Sequence, residues 1–198
     1  NADDFKDDLA LVLERASSAG VSNMVVVGFD RPTIQRAMEL IDMYDHIYGC
    51  IGWHPVDAID CTEQDLLWIE KLCRHPKIVA IGEIGLDYHW DKSSKEIQQI
   101  LFRKQIRMAK KLGLPIVIHT RDAMEDTLTI LKEEHAEEIG GVMHCFSGSV
   151  ETAKECLKMN FYISLGGPVT FKNARRPKEV AKEIPLEKLL IETDCPYL

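Results

Sequence analysis

The stretch "IVAIGEIGLDYHWD", residues 78–91, begins as an apolar, β-branched run and turns polar before it is finished. Apolar residues lead into Glu83, with Gly82 and Gly85 close by and Asp87, Tyr88, His89 and Asp91 crowded behind. A carboxylate at the end of such a run is costly to bury unless something compensates its charge. The pattern is not isolated. "NMVVVGFD" (23–30), "IYGCIGWHP" (47–55), "LPIVIHT" (114–120), "GVMHCFSG" (141–148), "FYISLGG" (161–167) and "LLIETDCP" (189–196) are also apolar runs with polar or glycine-rich ends. Runs apolar throughout suit strands covered on both faces, as in a parallel sheet.

Segments with helical periodicity and polar faces separate these runs. "DDLALVLERASSAG" stops at Gly20, and "SSKEIQQILFRKQIRMAKKLG" runs from Ser93 to Gly113 with its basic residues late. Ser93 with Glu96 has capping-box spacing, and Thr62 with Asp65 gives a second helix start. Alternating strands and helices predict an α/β fold with a parallel sheet. Seven runs at intervals of roughly 20 to 36 residues, about one βα unit each, favour a (β/α)8 TIM-type barrel over a doubly wound sheet. Seven of eight strands are present. The chain starts with a helix and stops after the last run, so the reading is a single domain, 1–198, lacking the first strand and the last helix. A complete open seven-stranded sheet is the alternative.

Composition bounds the chemistry. The chain has 198 residues, 45% of them apolar, enough for one sizeable core. No apolar run is long enough to span a membrane. The six cysteines form no CxxC pair and read as reduced thiols, which predicts a cytoplasmic protein. The net charge of −8 argues against a broad basic face for gripping duplex DNA, though not against a nucleic acid held locally through metal ions.

In a parallel barrel the active site gathers at the C-terminal strand ends. Those ends carry Asp30, His54, Glu83 with Asp87, His119, His144, Ser164, and Glu192 with Asp194. Imidazoles and carboxylates without a lysine point to a metal site. Ser147 lies near His144, but no GxSxG elbow accompanies it. Strand alternation puts His119 and His144 on one face with Val117 and Val142, and turns Cys145 and Cys195 into the strand–helix layer as small apolar residues. It also sets Glu192 a layer below Asp194, as an orienting partner rather than a ligand. Asp30 reads as a helix cap, His46, His75, His89 and His135 as solvated, and the long charged helix as an outer barrel helix.

"GWHP", "GEIGLDYHWD", "LPIVIHTRDA", "GVMHCFSGS", "FYISLGGPVTFKN" and "LLIETDCPYL" together resemble the TatD family of metal-dependent deoxyribonucleases, over nearly the whole chain and in register. The resemblance implies two divalent cations per subunit (Mg, Mn or Zn) held by Glu83, His119, His144 and Asp194, with Glu83 shared between them. The family's first metal also takes a His-x-His pair on its first strand, and the sequence from Asn1 onward does not include that pair. The implied chemistry is two-metal hydrolysis of a phosphodiester in DNA or a similar substrate, with Glu83 and Asp194 catalytic and Asp194 orienting or deprotonating the attacking water. His54, Arg121, Asp87 and Tyr88 are expected to meet the substrate, and Gly82 and Gly85 to leave room for ions and substrate backbone. Arg121 has an alternative as a helix-start residue paired with a nearby carboxylate. Hydrolysis of a small phosphoester, amide or lactone is the alternative activity, and a non-catalytic metal-binding scaffold the alternative class.

Overall fold

The computed structural model describes residues 2–196, so Tyr197 and Leu198 of the "LLIETDCPYL" motif lie outside the described residues. Each of the seven apolar runs contributes a strand: Met24–Gly28 (β1), Ile47–Ile51 (β2), Ile78–Asp87 (β3), Ile116–Arg121 (β4), Gly141–Met143 (β5), Phe161–Leu165 (β6) and Leu189–Ile191 (β7). All pair in parallel, and their order in the sheet is their order in the chain. A doubly wound sheet reverses its strand order at a switch point. Strictly sequential order is the winding of a barrel, and the seven strands form a curled half-barrel with β1 and β7 as its edges.

The helices are Leu9–Ser18 (α1), Arg31–Met43 (α2), Glu63–Leu72 (α3), Lys95–Leu112 (α4), Met124–Glu133 (α5), Val150–Lys158 (α6) and Arg175–Glu183 (α7). Among the described residues, no helix is long and apolar enough to cross a membrane. The core lies between helices and sheet, where Ile34 and Ile41 of α2, Phe102 and Ile106 of α4 and Leu131 of α5 are fully buried with Ile81, Ile118 and Phe161 of the strands. Burying one such side chain contributes about 1.5–3 kcal/mol.

Local signals set the boundaries. Asp30 and Thr33 form a capping box at α2, Thr62 and Asp65 another at α3, and Gly113 ends α4 at φ +67°. The expected cap of α4 is displaced by one residue. Ser94, not Ser93, accepts from Ile97 N, because the Ser93 hydroxyl is committed elsewhere. It donates to Val56 O at 2.7 Å and accepts from Ile59 N at 3.0 Å, pinning the loop that follows His54.

Candidate metal centre at the strand ends

β3 reaches the site through an irregularity. Ile81 pairs with Ile116 and Ile84 with Ile118, so β3 carries one residue more than β4 across this interval. The extra residue falls at Gly82–Glu83, and bulges at strand ends re-aim side chains in this way. Both glycines serve the backbone. A Cβ on Gly82 would stand 2.6 Å from Val117 Cβ, and Gly85, at φ +141°, would press one to 2.0 Å from the His119 carbonyl oxygen. They admit β4 alongside β3, instead of leaving room for ions and substrate as the sequence suggested.

Glu83 faces both strand-end histidines. His119 Nδ1 lies 2.8 Å from Glu83 Oε1, and His144 Nε2 lies 3.7 Å from the same oxygen and 3.9 Å from Asp194 Oδ1. Each imidazole gives its other nitrogen to a carboxylate behind it. His119 Nε2 is 2.8 Å from Asp87 Oδ2, and His144 Nδ1 is 2.9 Å from Glu192 Oε1. Outer carboxylates of this kind fix the ring and the tautomer of metal-binding histidines. Ligand atoms about 2.1 Å from one cation stand roughly 3 to 3.5 Å apart in tetrahedral or octahedral arrangements. The spacing of these donors and their imidazole and carboxylate chemistry therefore fit a divalent cation.

Further donors and charges surround this centre. One ligand atom each from His54, Glu83 and His119 lie within 4.8 Å of one another. His54, expected to meet the substrate, thus stands among the donors; its Nδ1 accepts from Val56 N, and its ring packs edge-on against His119 with centroids 4.5 Å apart. Burial works against the Glu83 carboxylate, but His119, His144 and His54 outweigh it and hold its pKa down at about 2. Burial likewise opposes a charge on His119, yet Asp87 and Glu83 bring its pKa up to about 9. The pocket favours positive charge between its carboxylates, the demand that a bound cation meets.

The other expected residues divide. Arg121 lines the same cavity of about 940 Å³ as Glu83, His54, His119, His144 and Asp194. Asp87 is buried behind His119, and Tyr88 turns away to donate to Asp126 Oδ2 at 2.7 Å, so neither reaches the rim where the sequence placed it. Glu192 sits behind His144 and accepts from Ser164 Oγ at 2.6 Å and from Cys145 N at 2.7 Å. Cys145 does not turn into the strand–helix layer. It adopts φ +43°, lines the cavity, and its thiol is pushed up to about 11 by burial and by Glu192. Cys195 is exposed, and all six cysteines are free.

Two functional supports escaped the sequence reading. Gln98 of α4 accepts from Asp87 N at 2.8 Å and donates to Asp87 O at 2.8 Å. Gln105 does the same for Trp53, at 2.8 and 3.0 Å. Two buried amides seven residues apart thus complete the backbone bonding where β2 and β3 end. Their signal was available, because both fall in the apolar stripe with Leu101, Phe102 and Ile106.

A family profile described as TatD related DNase matches residues 1–198. The chain is 67% identical over its full length to the "uncharacterized metal-dependent hydrolase YabD" of Bacillus subtilis (strain 168), covering 78% of that protein. It is 35% identical over 195 residues to the "3'-5' ssDNA/RNA exonuclease TatD" of Klebsiella pneumoniae (strain 342), covering 98% of this chain and 74% of the relative. Among solved structures, the TatD homologue YJJV of Escherichia coli K12 superposes with a TM-score of 0.92 at 32% identity, over 99% of this chain and 76% of that one. With the profile matching throughout and relatives this similar, the chain belongs to the TatD family of metal-dependent hydrolases.

Proposed function

We propose that the chain is a nuclease that hydrolyses phosphodiester bonds in DNA with two divalent cations (Mg, Mn or Zn) held by Glu83, His119, His144 and Asp194. The observation that carries this reading is the convergence of two imidazoles on one half-buried carboxylate, each imidazole held from behind by a second carboxylate. The relative named as an ssDNA/RNA exonuclease supports a nucleic-acid substrate. Divalent cations bound here would supply charge neutralisation at the phosphate and a water activated near neutral pH. Glu83, His119, His144 and Asp194 would hold them, and His54 stands among the donors around Glu83.

Asp194 is the proton acceptor for the attacking water. Without a cation its carboxyl is raised above the ordinary range, by burial first and then by Glu83 and Glu192 against the pull of His144. Water oxygen then bonds to phosphorus as the ester P–O bond breaks, and the leaving oxygen takes a proton from solvent while Asp194 keeps the one removed from the attacking water. Arg121 receives a phosphate oxygen. The alternative of a neighbouring carboxylate loses support, since Arg121 makes no ion pair among the described residues. The free cysteines support a cytoplasmic setting.

Cleavage of single- and double-stranded DNA with each metal, and with a chelator, tests the reading. Loss of an outer carboxylate costs metalloenzymes about 10- to 100-fold, so Glu83→Gln is expected to lower kcat by more than about 100-fold. Full activity in that variant sinks the mechanism. Metal analysis with activity separates the other readings: two ions per chain with DNA cleavage fit this site, bound ions without turnover fit a metal-binding scaffold, and turnover of a lactone or small phosphoester without DNA cleavage moves the substrate class.

A further inference from the structure

The rim of the cavity holds an indole that the chemistry above does not use. Trp90 is 54% exposed and lines the same cavity as Glu83, whereas Trp53 is buried and Trp68 lies beneath Arg31. Trp90 does not merely drift on a loop. Its main-chain N donates to Asp87 Oδ1 at 3.2 Å, and the other oxygen of that carboxylate orients His119. His89 packs edge-on against the indole, with centroids 4.9 Å apart. The Arg121 guanidinium lies 5.8 Å from the ring centroid. The adjacent Asp122 carboxylate turns to His89 at 3.4 Å and not to this guanidinium. In a chain of net charge −8, a cation without an ion pair among the described residues, set beside an exposed indole that lines this cavity, is a specific arrangement.

Phe29, Val56, Leu165 and Val169 line the same cavity. A phosphate gains nothing from an aromatic or aliphatic wall, but a flat base does, and stacking on aromatic side chains is how unpaired bases are held. We infer that Trp90 and Arg121 form a nucleotide clamp, the indole stacking an unpaired base and the guanidinium taking the phosphate next to it. The inference rests on the nuclease reading and sharpens it. A base inside a duplex has its faces covered, so the clamp selects single-stranded or frayed ends.

Kinetics on a short single-stranded oligodeoxynucleotide, and on the same strand with abasic units replacing its terminal nucleotides, test the clamp. Trp90→Ala is expected to raise KM for the base-bearing strand about tenfold, the effect of one lost stacking contact. kcat stays within about twofold, because the contact is made equally in ground and transition states. Trp90→Phe restores most of the loss, and on the abasic strand the wild type and Trp90→Ala converge. Independently of turnover, the base-bearing strand quenches indole fluorescence in chelator-treated wild type and not in Trp90→Phe. Equal KM shifts on both strands, or none on either, overturn the clamp and leave the nuclease reading standing. A wild type that cleaves neither strand with Mg, Mn or Zn overturns both.

Discussion

His119 and His144 both turn one nitrogen toward Glu83 and give the other to a carboxylate, but the two carboxylates live in different surroundings. Asp87, behind His119, is 1% exposed. Its oxygens accept from His89 N and Trp90 N as well as facing His119, and Gln98 of α4 grips its backbone on both sides. Glu192, behind His144, follows β7, and its side chain is 18% exposed. Its partners are one hydroxyl, one backbone N–H and the imidazole. Asp194, two residues on, has a side chain 44% exposed. Among the described residues, the carboxylate behind His119 is therefore the more deeply buried, and the β5–β7 half of the centre is the more open. Preorganisation is worth most where the supporting groups are themselves locked.

Removing the charge of each orienting carboxylate separates the halves most sharply. Asp87→Asn is expected to weaken divalent binding by about 100-fold and Glu192→Gln by about 10-fold, the two ends of the range for outer-shell partners. Calorimetric titration with Mn or Zn reads both. Equal losses would break the comparison and make depth irrelevant to how well an imidazole is held.

The contrast also marks what the sequence could show. Strand order, the strand-end histidines, Glu83 and the deeper seat of Glu192 were readable, because period-two alternation and apolar runs are local signals. Asp87 and Tyr88 were misplaced for one reason. A strand's end can be read, but which way its following residues bend depends on partners far away, here His119 for Asp87 and Asp126 for Tyr88. Cys145 escaped alternation because its left-handed backbone breaks the strand geometry that alternation assumes. Gly82 and Gly85 announced close approach without saying to what, and the answer was a neighbouring strand.

The buried amides of α4 give a smaller effect on the same axis. Gln98→Ala strips both partners from the Asp87 backbone and is expected to cost about 1–3 kcal/mol, since buried N–H and C=O groups are left unsatisfied. Gln105→Ala does likewise at Trp53 and costs a similar amount in urea unfolding. The two differ in metal binding. Gln98 supports the carboxylate that orients His119, so only its loss should also weaken divalent affinity. Identical affinities in the two variants would mean that Asp87 is held well enough without α4.

The least effect is expected where the two halves meet. Glu134, closing α5 on the way to β5, accepts from Arg107 Nε and Nη2 at 2.7 Å each and from Arg103 Nη1 at 3.1 Å, both on α4. Arg107 holds the Glu134 carboxyl below the usual glutamate range, burial opposing and Arg103 assisting. A folded-state pKa below the unfolded value of about 4.3 means the pair stabilises the fold above that pH and stops doing so as pH falls through the folded value. The arginines remain partly solvated, which limits Glu134→Gln to about 1 kcal/mol at pH 7, or about 2–4 °C in Tm for a chain of this size. The gap between wild type and variant should narrow as pH falls below the unfolded value of about 4.3 and close below the lowered folded value. A gap that stays unchanged as pH falls well below about 4.3 would show that shape rather than charge joins α4 to α5, and that the β5–β7 half does not depend on this ion pair.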